Sequence, residues 1–119
     1  MCKFDLTQAV NALLGFREER DWEQYHTPKN LSISIAIEAA ELMEHFQWRS
    51  EKEVGEYIKT DSLDKVSEEI ADIASYLLLL SNDLGIDLNS AILKKISRNE
   101  LKYPVEKSRG RHTKYTDLK

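Results

Sequence analysis

Four carboxylates in two pairs, Glu38 with Glu41 and Glu69 with Asp72, are the residues of this chain whose type and spacing invite chemistry. The members of each pair are three residues apart, so on a helix their side chains lie one turn apart and converge on one point. Ionised carboxylates in a poorly solvated groove are costly, and a like-charged neighbour adds to the cost. A divalent cation removes both penalties. All-oxygen ligation suits a hard ion, Mg²⁺ or Mn²⁺ before Zn²⁺, since the chain has three His and one Cys, Cys2. The competing reading is two ordinary solvated faces of amphipathic helices. A di-iron centre would need Glu-x-x-His on two helices, whereas Glu41 and His45 stand four apart with no second copy.

Magnesium held by carboxylates most often serves phosphates, so the chain should also hold phosphate donors and a base platform. Lys94, Lys95, Arg98, Asn99, Lys102 and Tyr103, with Arg109, Arg111 and Lys114 beyond, are suitable donors. Trp22 and Trp48 could stack on a nucleobase. Each signal has a plainer alternative, solvated basic residues at a helix end and core tryptophans. A Gly-x-x-x-x-Gly-Lys loop is absent, which excludes a P-loop as the phosphate site.

The acid pairs need helices to carry them. Leu6, Val10, Leu13, Leu14 and Phe16 mark an amphipathic helix over residues 5–21. Thr27 and Pro28 form an N-cap and first-turn pair opening a second helix to about Trp48, whose apolar residues surround most of its circumference and leave Ser34, Glu38, Glu41 and His45 as its polar stripe. A short helix over 51–58 follows. Asp61 or Ser62 caps a third long helix ending at Gly85, in which Leu63, Val66, Ile70, Ile73, Leu77, Leu80 and Leu84 make a heptad seam. Glu69, Asp72 and Tyr76 form a separate stripe. Asp87 caps a fourth helix to about Lys102, and Pro104 stops it. The expected fold is all-α and four-helix bundle-like, one domain over 1–119 with 104–119 as a basic arm, ordered only if a partner covers it.

Composition agrees with that plan. Four Gly and two Pro against fifteen Leu and eight Ala in 119 residues disfavour a turn-rich β fold. The net charge of −4 disfavours a nucleic-acid coat, and it is uneven: residues 104–119 carry +3, which leaves −7 on the rest. The lone Cys2, the lack of a leader-like start and the lack of an apolar run of about 18 residues lead to the expectation of a cytoplasmic protein. With 41% apolar and 32% charged residues, helices short of cover are expected to borrow it from other copies.

The run Asp21-Trp-Glu-Gln-Tyr-His-Thr-Pro-Lys-Asn-Leu31, then Glu38-Ala-Ala-Glu41, Phe46-Gln-Trp48, Glu69-Ile-Ala-Asp72 with Tyr76, Asn99 before Lys102-Tyr-Pro104, Ser108-Arg-Gly and Lys114-Tyr-Thr resembles the MazG-related all-α nucleoside triphosphate pyrophosphatases, in particular the dCTP pyrophosphatase branch. The likeness covers about residues 5–118. It implies hydrolysis of a (deoxy)nucleoside triphosphate, dCTP or a modified dCTP, to the monophosphate and pyrophosphate, with Mg²⁺ on Glu38, Glu41, Glu69 and Asp72. It places Trp22, His26 and Trp48, with Gln24 and Tyr25, around the nucleoside, Tyr76 on the substrate, and Lys95, Asn99 and Lys102 near the phosphates. It also implies a homotetramer, a dimer of dimers; the charge balance and the lack of a long apolar run lead to the expectation of no stable nucleic-acid complex and no membrane. Leu13 stands where some dCTP pyrophosphatases carry a substrate-contacting His. Glu41 is the expected general base. Two readings of other classes remain beside the enzyme: a non-catalytic nucleotide-binding protein and a helical interaction module.

Overall fold

The computed structural model describes residues 5–119. Cys2 and the start of the chain, on which part of the compartment expectation rests, lie outside the described residues. The architecture is all-helical, with no strand among the described residues: α1 (Thr7–Glu19), a 3₁₀ turn (Glu23–Tyr25), α2 (Pro28–Glu44), α3 (Glu51–Tyr57), α4 (Ser62–Asp83), α5 (Leu88–Lys102), α6 (Val105–Ser108) and a last 3₁₀ turn (Tyr115–Asp117). Among the described residues no helix is long and apolar enough to cross a membrane. The chain divides into two compact units, one reaching Leu84 and the other Gly85–Lys119.

In the first unit α2 packs chiefly against α4, and α1 crosses α4. The local signals work as their chemistry requires. Thr27 caps α2 by accepting the Asn30 amide at 3.1 Å, with Pro28 in the first turn. Ser50 and Glu53 form a reciprocal capping box that starts the short α3. At α4 the expected cap differs: Asp61 makes no side-chain cap bond, and the Thr60 hydroxyl accepts the Ser62 amide instead at 3.2 Å. α2 ends four residues before Trp48. The His45 and Phe46 amides fall back on Leu42 and Met43, a tightening of the last turn, and the Arg49 guanidinium donates to the His45 carbonyl left open there.

Among the described residues only Leu31, Val66 and Leu79 are buried apolar side chains. The α2 helix is therefore not enclosed as its apolar circumference suggests: Ile33, Ile37 and Met43 are about half exposed. The heptad seam of α4 divides in the same way. Val66 is buried and Ile73 and Leu80 are half-buried, whereas Leu63, Ile70, Leu77 and Leu84, spaced by seven, all lie open. The stripe that α4 turns inward carries Val66, Glu69, Tyr76 and Leu79, so the carboxylates belong to the packed side.

In the second unit Asp87 caps α5 by accepting the Ser90 amide at 3.2 Å. The basic arm is more structured than its composition suggests. Tyr115 returns edge-on to Tyr103, with ring centroids 6.0 Å apart, and the Lys102 ammonium lies 4.7 Å over the Tyr115 ring.

Candidate active site

Antiparallel packing of α2 on α4 brings one acid pair to the other. Glu38, Glu41 and Glu69 each offer an oxygen, all within 4.8 Å of one another. Glu38 Oε2 and Glu69 Oε2 are buried with no hydrogen-bond partner. Buried, unpartnered acceptors that converge in this way fit a hard divalent cation, which would satisfy both at once. Without one, burial and the neighbouring Glu41, Asp72 and Glu69 push the Glu38 carboxyl up to about 7. Asp72 lies outside the tightest trio, exposed on the next turn, where its charge is still felt by Glu38 and Tyr76. Burial, then Glu38, Asp72 and Glu41, raise the Tyr76 phenol, which keeps its proton and remains a donor.

Beside the acids a cavity of about 170 Å³ opens between α1, the first 3₁₀ turn and α4, lined by Leu13, Phe16, Arg17, Trp22, His26, Asp72, Ser75, Tyr76 and Leu79. An aromatic series builds one wall: Phe16 to Trp22 at 5.7 Å, Trp22 to His26 at 6.3 Å, and His26 to Tyr76 at 6.4 Å between centroids. The turn that delivers Trp22 and His26 depends on Asp21, left-handed at φ 52°, whose backbone and side-chain oxygens both accept from the Gln24 amide. Aspartate tolerates that region better than most residues. The turn is tied back by the Trp22 amide donating to the Arg17 carbonyl at 3.1 Å.

Arg17 is a residue that sequence reasoning missed. Its guanidinium is buried and forks onto Asp83 of α4 at 2.7 and 2.8 Å. That contact holds Asp83 below the usual carboxylate range and raises Arg17 further. A wider cavity of about 660 Å³ shares Arg17 and His26 with the aromatic one and also takes in Asp83. Burial, with Arg17 nearby, lowers His26, whose buried Nδ1 has no partner. No periodicity marks Arg17, since it looks like one more charge in the run 17–21.

The other expected contacts are distributed unevenly. Gln24 is occupied with Asp21, and Tyr25 is 62% exposed. Trp48, 85% exposed, stands apart from the residues lining the aromatic cavity. Lys95, Asn99 and Lys102 all lie on α5 in the second unit. A second group stands at the opposite end of the acid cluster, of which the sequence marked His45 on the polar stripe of α2 but not Tyr57. His45 Nδ1 and the Tyr57 hydroxyl are 2.7 Å apart, and His45 Nε2 lies 3.8 Å from Glu69.

A helical pair thus presents converging carboxylate oxygens, which can take a divalent cation, next to a ring-sized aromatic cavity. Residues 33–118 match the MazG-like family, and the chain belongs to it. Relatives include dCTP pyrophosphatase 1 of Bos taurus, 42% identical, and of Homo sapiens, 38% identical, each over 87% of this chain. The chain spans only 62% and 61% of those two proteins. A solved structure of a pyrophosphatase from Archaeoglobus fulgidus DSM 4304 is 43% identical, with a TM-score of 0.78, over 87% of this chain and 96% of the other.

Proposed function

We propose that this protein hydrolyses a (deoxy)nucleoside triphosphate, dCTP or a modified dCTP, to the monophosphate and pyrophosphate, in the cytoplasmic sanitation of nucleotide pools. The observation that carries the reading is the convergence of Glu38, Glu41 and Glu69, with two buried oxygens lacking partners, directly beside an aromatic cavity. The names of the relatives support the same chemistry.

Glu38, Glu41 and Glu69, with Asp72, would hold Mg²⁺, or Mn²⁺ in its place. When bound, the cation supplies charge neutralisation for the phosphates and activation of water. Trp22, His26 and Tyr76 enclose the base, over the apolar floor of Leu13, Phe16 and Leu79. Glu41 takes a proton from the attacking water, because Glu38 and Glu69 each keep a buried oxygen that a cation would claim and Glu41 keeps none. The water oxygen bonds to the α phosphorus, the bond from that phosphorus to the bridging oxygen breaks, and its electron pair leaves with pyrophosphate. Lys95, Asn99 and Lys102 assist at the phosphates, and Trp48, Gln24 and Tyr25 reach the nucleoside in the assembled homotetramer.

A panel of ordinary and modified nucleoside triphosphates with Mg²⁺, scored for monophosphate and pyrophosphate together, tests reaction, cleavage position and base preference at once. Turnover of dCTP or a modified dCTP is the expected result. Saturable nucleotide binding without product, or no binding at all, would replace the enzyme with a binding protein or an interaction module.

A further inference from the structure

Two cavities adjoin the acid cluster from opposite ends, and they differ in chemistry. The one at the Asp72 end is small and aromatic, suited to a ring. The other, about 450 Å³ and open, lies at the Glu41 and Glu69 end and is lined by Glu41, Glu44, His45, Arg49, Tyr57 and Glu69. A nucleotide whose base fills the first and whose α phosphate meets the acids has its remaining phosphates directed toward the second.

Among the described residues Arg49 is the one permanent cation lining that second cavity, and it is held in place. Its guanidinium lies 3.8 Å over the Tyr57 ring and donates to the His45 carbonyl. Tyr57 is fixed in turn by its hydroxyl contact with His45 Nδ1 at 2.7 Å, and the capping box at Ser50 and Glu53 secures the short helix that carries it. A guanidinium with its face stacked and one N–H engaged still has donors in its plane, the geometry that binds phosphate oxygens in pairs. Three acids in the same lining repel free phosphate, so anion binding here requires the cation that the acid cluster would hold through the unpartnered oxygens of Glu38 and Glu69. That requirement separates this cavity from a general anion site.

We propose that the cavity at the Glu41 and Glu69 end receives the β and γ phosphates, and that Arg49, aligned by Tyr57 and His45, engages the departing pyrophosphate. This rests on the pyrophosphatase reading and adds to it the residue that holds the leaving group. Charge builds on the α–β bridging oxygen as the bond breaks, and a fixed guanidinium on that side favours the transition state over the bound substrate.

The test is calorimetric binding in Mg²⁺ of two probes, the non-hydrolysable α,β-imido analogue of the triphosphate best turned over in the panel and the corresponding monophosphate. Wild type, Arg49→Gln, Arg49→Lys and Tyr57→Phe are compared. Arg49→Gln keeps a donor for the His45 carbonyl, so it guards against simple loss of the helix end. The imido analogue is expected to bind Arg49→Gln at least 10-fold more weakly than wild type, with monophosphate affinity unchanged within twofold. Arg49→Lys should recover part of the loss, and Tyr57→Phe should fall between wild type and Arg49→Gln. Equal loss of both probes, or wild-type affinity for the imido analogue, overturns the assignment of Arg49 while wild-type turnover leaves the pyrophosphatase reading standing. If wild type neither turns over nor binds any triphosphate, both fall together.

Discussion

Glu38 carries the clearest electrostatic consequence in the molecule. Its carboxyl is pushed up to about 7 by burial and by the acids around it. Between its ordinary value of 4.5 and 7 the unfolded chain releases this proton and the cation-free native state keeps it. Stability conferred by a raised carboxyl is complete below 4.5 and lost as pH rises through 7, so the cation-free protein should lose stability over that window. Divalent cation needs the ionised form and relieves the penalty. The melting temperature should therefore rise more on adding Mg²⁺ at pH 8 than at pH 5, and at pH 6 binding should release protons in calorimetry run in buffers of different ionisation enthalpy. An equal rise at both pH values would contradict the cation site. Replacing Glu38, Glu41, Glu69 or Asp72 by Ala should each lower turnover by at least about 100-fold with helical circular dichroism intact. Full activity in any two of the variants would exclude the cluster. These four acids are legible as two spaced pairs, whereas the roles of Arg17 and Arg49 are not, because a buried or stacked guanidinium looks like any surface charge until its partners from other helices are placed.

The first unit holds its helices together with little apolar core, so the Arg17 to Asp83 fork between α1 and α4 matters more than an exposed ion pair would. Asp83→Ala leaves a buried guanidinium without a counter-charge, a loss of about 3–5 kcal/mol. The expected reading is a melting temperature lower by roughly 10 °C or more, together with weaker nucleotide binding, because the same arginine lines the aromatic cavity and its backbone ties down Trp22. A melting point within 2–3 °C of wild type, roughly the effect of an exposed pair, would show that the fork is dispensable. Since Asp83 is held below its ordinary 3.8, its contribution is present above that value and disappears as pH falls through the lower native one. Helix limits were largely readable at the level of single turns: Thr27 and Asp87 cap where their side chains allow, and Gly85 supplies the positive φ of 65° after α4. The end of α2 was not, since the apolar pattern runs on through Phe46 and Trp48 while the backbone has already tightened at His45.

For the molecule as a whole, the apolar faces left open are continuous along their helices. Leu63, Ile70 and Leu77 on α4, with Leu84 just after it, are 40–53% exposed, and Ile92, Leu93 and Ile96 on α5 are 48–57% exposed. Rows of this kind are the surface that the proposed assembly would cover. Sedimentation equilibrium at micromolar concentration should give a tetramer, and Ile70→Glu with Leu77→Glu should yield smaller species with lower melting temperature. A wild-type monomer would remove the proposed assembly. Trp48 should be quenched less accessibly in the assembled wild type than in that double variant, as expected if another copy covers it.

The all-helical class, the caps at Thr27 and Asp87 and the two acid pairs were determined by the sequence itself, because helical periodicity, cap chemistry and one-turn spacing are local properties written along the chain. Which side of α4 faces inward, that Arg17 finds Asp83 across 66 positions, and that Arg49 stacks on Tyr57 were decided only by the tertiary structure. A helix of uniform apolarity has no preferred face until its neighbours are packed, and a charge has no partner until the chain has folded back on itself.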